Sequence, residues 1–441
     1  FPRYVMEYLV SRYVEPDDPV TGQEKIDRIL TEHYAESAKK ELIKSRIKEK
    51  GQYTLLGQFS VRLDQSRDHY WADVPALGDN TVRIAPKILE QYGDVLLTSG
   101  AWGTMEVEYD GTYEIKGKKF PFYVRAFTPL QYTRLDVDDY ISKRPEFAED
   151  EWIDLLIQSI GFNPTKFDRR VKLLMLLRLV PFVESNYNLI ELGPRETGKT
   201  YTFRNTSNRG FVISGGGANA TPANLFYNRN TRKLGVVGLK HLVFFDEVSH
   251  IRFDDAEASI NMLKDYMQTG KFSRGDQEFS AQCSIVLGGN IDTDMQRCQP
   301  DAKYRHLFEP LPAELQDAAF LDRIHAYLPG WEIPKIRPDN YAIGYGFLTD
   351  YLAEIFAELR RRNFQTHVNA WVDMGGMTGR NQDAVKKTVA GMLKLLHPHR
   401  TAEELKETEL APLVEFAAEM RRRTTDQLAK ILPSEFSNVG Y

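Results

Sequence analysis

The sequence predicts an α/β core built on a parallel sheet. An α+β region holding a small β-barrel or sheet precedes the core, and a helical region follows it. Three observations support this. Between 187 and 335 short apolar runs alternate with helical patterns, the signature of a parallel sheet layered with helices. From about 51 to 130 the texture is antiparallel. Phe59-Ser60-Val61-Arg62-Leu63 and Tyr113-Glu114-Ile115 alternate, Phe120-Pro121-Phe122-Tyr123-Val124 is aromatic and β-branched, and Gly78-Asp79-Asn80 and Asp110-Gly111 mark turns. An OB-like barrel is one candidate for that stretch. After Trp331 and Pro334 the patterns are mainly helical, with Tyr351 to Arg362 and Gln382 to Leu396 the longest.

The 441 residues suggest two or three domains. The textures divide them into an N-terminal α+β domain at 1–137, a helical linker at 138–185, an α/β core at 186–335 and a helical lid at 336–441. Within the N-terminal region, Lys39, Lys40, Lys44, Arg46, Lys48 and Lys50 read as a solvated helix face. A net charge of -5 excludes a chain coated in positive charge, so any nucleic-acid contact must come from local basic segments. No apolar run reaches the roughly 18 residues that span a bilayer. The nearest, Val171 to Val183, contains Lys172, Arg178 and Pro181. Its first part, Val171 to Leu177, reads instead as a buried helix packed on the next domain. Cys283 and Cys298 cannot make a disulfide framework and fit a reducing cytoplasm, with no signal peptide. Phe1-Pro2 and Ser437 to Tyr441 read as cut points inside a longer protein.

The chemistry is concentrated at three apolar strands. Tyr187 to Leu192 leads into Gly193-Pro194-Arg195-Glu196-Thr197-Gly198-Lys199-Thr200, followed by Tyr201 at the start of a helical pattern. That strand–loop–helix context is what a P-loop requires. Gly193 and Gly198 let backbone N–H groups curl around phosphates, Lys199 places a cation on the β- and γ-phosphates, and the Thr200 hydroxyl is a Mg²⁺ ligand. The second strand, His241 to Phe245, ends in Asp246-Glu247. Asp246 is placed to hold Mg²⁺ through its water shell, and Glu247 to orient and deprotonate the attacking water. The third strand, Ser284 to Gly289, ends in Asn290, the sensor-1 position of AAA+ proteins, and Gly288 and Gly289 allow close backbone approach. Together these predict an AAA+ ATPase using ATP and Mg²⁺.

Two arginines follow. Arg323 resembles the finger that reaches a neighbouring subunit's ATP in ring ATPases, the alternative being an ion pair with Asp322 or Glu309. Arg380 looks like a sensor-2 arginine coupling the lid to the γ-phosphate, the alternative being an ordinary surface arginine. Two segments suit a polyanion. Gln268 to Gln277 reads as a hairpin carrying Lys271 and Arg274, matching the pre-sensor hairpin of DNA-translocating rings, though a plain exposed hairpin fits equally. Asn228 to Lys233 carries Arg229, Arg232 and Lys233. Leu225-Phe226-Tyr227 beside it keeps open an aromatic grip on a peptide.

Several stretches resemble the BrxL family of Lon-like AAA+ proteins from bacterial BREX phage-defence systems. They are Glu191 to Lys199, Ile213 to Gly216, Pro222 to Asn228, Val236 to Leu239, Phe245 to Val248 and Lys264 to Met267, and the match covers about 187 to 400 well. The resemblance implies a hexamer or stacked double ring in the bacterial cytoplasm. It also implies binding to DNA, double-stranded and without sequence preference, with the N-terminal domain helping to enclose the duplex somewhat like replicative MCM rings. It further implies action with other BREX components against phage. The family carries a C-terminal Lon-protease-like domain, and this chain stops before any Ser–Lys dyad. Besides a DNA-encircling ATPase, two readings stay open: the unfoldase half of an ATP-dependent protease, and a nucleotide-gated scaffold on DNA.

Overall fold

The computed structural model describes residues 3–15, 17–34, 39–64, 68–98, 100–130, 136–215, 220–230, 232–253, 255–274, 277–294, 297–371 and 377–436. Both expected cut points, and Gly216, Thr231, Gly275 and Asp276 of the segments above, lie outside them. The chain divides into two compact units, Phe1–Leu135 and Asp136–Tyr441. Segments 138–185 and 336–441 both fall in the second unit with the α/β core.

The first unit is organised around a closed five-stranded barrel. Its strands are Gln52–Asp64, His69–Val74, Asp79–Ile84, Ala101–Tyr109 and Phe122–Pro129, in the spatial order first, second, third, fifth, fourth. The first strand is long enough to pair with the second through Ser60 to Asp64 and with the fourth through Gln52 to Phe59. A parallel contact of Arg83 with Tyr123 and Ile84 with Val124 joins the third strand to the fifth. Leu55, Phe59, Val61, Met105, Val107, Val124 and Phe127 are buried and form the core, with a register shift between Val124 and Phe127 on the fifth strand. This is the strand order of an OB-like barrel.

Two details differ from the sequence expectation. Helix Pro86–Thr98 interrupts a region read as strands throughout. Proline at its first position presets the helical φ, and Ile88 and Leu96 join the barrel core. Asp79 and Asn80 open a strand rather than a turn, and Gly78 alone takes the left-handed backbone, at φ 58°. Helix Lys40–Lys50 buries Ile43 and Ile47 in the same core, so its lysines are the solvated face.

The second unit is built on five parallel strands in the order Ala326–Pro329, Leu189–Gly193, Ser284–Asn290, Leu242–Asp246 and Gly210–Ser214. Leu242–Asp246 and Leu189–Gly193 are buried along their whole lengths, as parallel strands covered on both faces must be. Arg169–Leu177 is the expected buried helix, started by Asp168, whose carboxylate accepts from the Val171 N–H at 2.8 Å. Helices before and after the sheet in sequence pack on each other. The Trp152 indole donates to the Leu395 carbonyl at 2.9 Å, and Lys394 pairs with Glu184 at 2.7 Å. No helix among the described residues is long and apolar enough to cross a membrane.

The barrel core predicts its own test. The Phe59 ring is fully buried and meets Phe127 edge-on at 4.7 Å. Phe59→Ala therefore destabilises the first unit by about 3–5 kcal/mol. Calorimetric unfolding of the chain measures the loss, and an unchanged profile would contradict this packing.

Candidate nucleotide site

Strand Leu189–Gly193 brings the chain to the C-terminal edge of the sheet, and helix Lys199–Asn205 carries it away. The loop between them is tight, with left-handed φ values of 67° at Glu196 and 77° at Gly198. Gly198 adopts this backbone freely, and a Cβ there would lie 2.9 Å from the Phe162 ring. A Cβ on Gly193 would strike the Gly330 backbone at 2.5 Å, so this glycine also permits two segments of the chain to cross. The Lys199 ammonium is buried and donates to the Pro194 carbonyl at 2.7 Å and the Gly193 carbonyl at 3.3 Å. Burial pushes its pKa down to about 8.

The other two strand tips converge on this loop. Arg195, Glu196, Thr197, Gly198, Lys199, Thr200 and Tyr201 line a cavity of about 320 Å³ together with Asp246, Glu247, Gly289 and Asn290. The Thr200 hydroxyl donates to Asp246 Oδ2 at 2.9 Å. A hydroxyl and a carboxylate side by side next to a phosphate cradle are the hard oxygen donors Mg²⁺ takes, with waters completing its shell. Glu247 is exposed and holds a left-handed backbone, φ 51° and ψ 51°, which turns the chain sharply after Asp246. Such backbone strain costs of order 1–3 kcal/mol and recurs at functional positions. Gly288 leaves room for the Phe244 ring, which a Cβ would meet at 2.4 Å. Lysine, two carboxylates and an amide around one cavity can bind a triphosphate, hold its metal and activate a water.

Beneath the loop lies a support that the sequence reading missed. Arg178 and Glu191, both fully buried, form a two-pronged ion pair at 2.6 and 2.9 Å. The same guanidinium donates to the Thr197 carbonyl at 3.0 Å, fastening the loop from below. The available signal was a charge inside each of two apolar runs, Val171 to Val183 and Tyr187 to Leu192.

Arg323 and Arg380 lie elsewhere. The Arg323 carbonyl accepts from the Asn188 side chain at 2.9 Å, and His325 exchanges hydrogen bonds with the Asn188 backbone. Asn188 is at the N-terminal edge of the sheet, five residues before Gly193, so about 16 Å of strand separates the two levels. Arg380 pairs with Asp322, at that same edge. Arg380, expected to couple the lid to the γ-phosphate, thus lies at the sheet edge opposite the P-loop of the same chain. Nor does Arg323 take either ion pair considered for it. Asp322 holds Arg380 and Arg421, Glu309 holds Arg305, and Arg323 donates to Gln268 and to the Ala319 carbonyl.

The two basic segments, far apart in sequence, meet in space. Strands Lys271–Arg274 and Gln277–Ser280 form the expected hairpin, and Tyr227–Asn228 pairs with Lys233–Leu234. Phe226 packs on Phe272 at 5.1 Å and Tyr227 on Phe279 at 4.8 Å, giving the hairpins one aromatic core. Arg274 donates to the Tyr227 carbonyl at 2.8 Å. Burial, and then the nearby Arg229 cation, lower its pKa. Lys271 is exposed and pairs with Glu278 at 3.4 Å, while Arg229, Arg232 and Lys233 are exposed. Leu225, Phe226 and Tyr227 are buried, so they pack rather than grip.

Two tests follow. Arg178→Met leaves Glu191 as an unpaired buried charge and destabilises the second unit by about 3–5 kcal/mol, whereas Arg178→Met with Glu191→Leu recovers most of it. Denaturant unfolding compares them, and equal losses would contradict the pairing. Lys199 titrates near 8, and a bound phosphate raises its pKa. Nucleotide binding thus takes up a proton only above that pH. Affinity stays level below about pH 8 and falls up to roughly tenfold per unit above it. Calorimetric titration with an ATP analogue checks the profile.

Comparison with known proteins agrees with this geometry. Residues 122–441 match the family model for the Lon-like protease BrxL-like ATPase domain, and residues 1–109 match the model for the N-terminal region of the BREX system Lon protease-like protein BrxL. Across its whole length the chain is 41% identical to the Lon-like protease BrxL of Bacillus cereus (strain H3081.97) and 38% identical to that of Escherichia coli O9:H4 (strain HS). It spans 64% and 62% of those two proteins. An uncharacterized protein of Acidianus filamentous virus 1 is 26% identical over 71% of the chain. With an AAA+-type strand order, a complete phosphate cradle and both halves matched, the chain belongs to the BrxL family of Lon-like BREX proteins.

Proposed function

We propose that this chain is an ATP-hydrolysing subunit of a ring that binds and encircles DNA in BREX anti-phage defence. The observation that carries the reading is the division of groups between the two edges of one sheet. Lys199, Thr200, Asp246, Glu247 and Asn290 share a cavity at one edge, and Arg323 sits at the other. A subunit so built hydrolyses ATP efficiently only when a neighbour supplies the arginine.

Thr200, and Asp246 through water, would hold Mg²⁺, which would offset phosphate charge. Lys199 sits against the β- and γ-phosphates. Glu247 orients the attacking water and takes its proton, with Asn290 fixing the water's position. The neighbour's Arg323 neutralises charge building on the transferred phosphoryl oxygens. The exposed cations Arg229, Arg232 and Lys233, with Lys271 on the adjoining hairpin, contact DNA phosphates. Arg274 holds the two hairpins together.

The burial of Leu225, Phe226 and Tyr227 favours DNA over an unfolded polypeptide, because it removes the aromatic pair a peptide grip needs. Hydrolysis, rather than a slow nucleotide-gated scaffold, is expected from the complete set of groups.

The test is charge reversal. Arg229→Glu, Arg232→Glu and Lys233→Glu together should lower duplex affinity at least tenfold at moderate salt. They should also flatten the plot of log K against log salt by about one unit per cation removed. Unchanged DNA binding overturns the DNA reading. Wild-type turnover no higher than that of Glu247→Gln, with or without DNA, overturns hydrolysis.

A further inference from the structure

The placement of Arg380 raises a question the ring reading does not answer. Its guanidinium is half-exposed and pairs with Asp322, which is largely buried. The other oxygen of Asp322 is held by Arg421 at 2.7 Å. Arg421 is itself buried and also donates to the Asn381 side chain at 2.8 Å and to the Asp322 carbonyl at 3.0 Å. One buried arginine thus ties the turn bearing Arg323 to the start of helix Gly379–Leu396, which bears Arg380.

The same helix is pinned along its length to the N-terminal edge of the sheet. Asp383 pairs with His325 at 3.3 Å, Lys387 donates to the Asn186 carbonyl at 3.2 Å, and the Thr388 hydroxyl meets the Tyr187 hydroxyl at 2.8 Å. Residues 186–188 lie on the far side of the sheet from the phosphate cradle. Carrying Arg380 to its own P-loop would break all these ties and move it by about the 16 Å that separates the two edges.

Arg380 is instead close enough to Arg323 for its charge to lower the Arg323 pKa, after burial. The two cations repel each other, and the Asp322 carboxylate, paired with Arg380 and felt by Arg323 through its charge, offsets that repulsion. Arg380 is the half-exposed member, and neighbouring guanidiniums suit a polyphosphate, which takes several charge-assisted hydrogen bonds at once.

The geometry points to Arg380 as a ligand for the neighbouring subunit's nucleotide, acting beside Arg323, with Asp322 as the positioning residue that holds Arg380 at that face. This rests on the ring reading and deepens it: each ATP is completed by two arginines from next door. Asp322 also releases Arg380 in exchange for phosphate, so the pair engages only where a loaded neighbour is present.

Subunit mixing of the full chain tests this. Lys199→Ala and Arg380→Ala are each expected to lose most turnover when assembled alone. Mixed in equal amounts, an Arg380→Ala subunit keeps its own cradle and borrows Arg380 from a Lys199→Ala neighbour. Turnover then recovers to about a quarter of wild type, the share of correctly ordered interfaces in a head-to-tail ring. Lys199→Ala with Glu247→Gln, two defects in one cradle, gives no recovery. Arg323→Ala with Arg380→Ala also gives none, because both lie on the same face.

Recovery in that last mixture, or none from Lys199→Ala with Arg380→Ala while Arg323→Ala is rescued, overturns the inference and leaves the ring standing. Failure of Lys199→Ala to rescue Arg323→Ala overturns the ring itself. Asp322→Asn should be rescued by Lys199→Ala just as Arg380→Ala is. A variant that merely misfolds is not rescued, and that result would overturn the positioning role.

Discussion

All five strands of the larger sheet run the same way, and every candidate group takes its place from that constraint. Parallel strands end at one edge and begin at the other. Loops leaving the strands gather Lys199, Asp246, Glu247 and Asn290 around a single cavity. Segments returning to begin a strand, such as the turn before Ala326–Pro329, are delivered to the far edge. The strands' apolar residues keep the sheet buried on both faces, so neither edge can shift relative to the other without opening the core. Arg323 and the phosphate cradle of one chain are therefore held apart, which is what the proposed ring draws on.

Around that sheet the chain buries charge where it must hold a loop still. Arg178 and Glu191 are fully enclosed and joined by two hydrogen bonds, and one of the same guanidinium nitrogens also reaches the Thr197 carbonyl. Apolar replacements could fill the same volume with similar stability. Only a directional donor can fasten a carbonyl of the phosphate-binding loop. Lys199 shows the complementary case. Its ammonium rests on backbone carbonyls, poised below its ordinary pKa until an anion arrives. Asp322, Arg421 and Arg380 repeat the arrangement at the opposite edge, with one exposed cation left facing outward.

The basic hairpins show why charge alone was an incomplete guide. Lys271 and Arg274 read as equivalent phosphate contacts. In the fold Arg274 turns inward to a carbonyl of the neighbouring hairpin, while Lys271 stays at the surface. The aromatic residues beside them, which left a peptide grip open, are the core that joins the hairpins. The barrel of the first unit was similarly half-legible. Its alternating strands could be read, but helix Pro86–Thr98 could not, because its apolar residues complete a core contributed by distant strands.

By itself the sequence determined the phosphate cradle, the two carboxylates after the second strand and the asparagine after the third. Each is a local signal: an apolar run sets a buried strand, and the polar residue that follows must emerge at its tip. It also determined the two fold textures and the family likeness. Tertiary structure alone decided which distant groups meet: Arg178 with Glu191, Arg274 with Tyr227, and Arg380 with Asp322. Those pairings depend on strand order and direction, which are properties of long-range packing, and no window of sequence around either partner contains them.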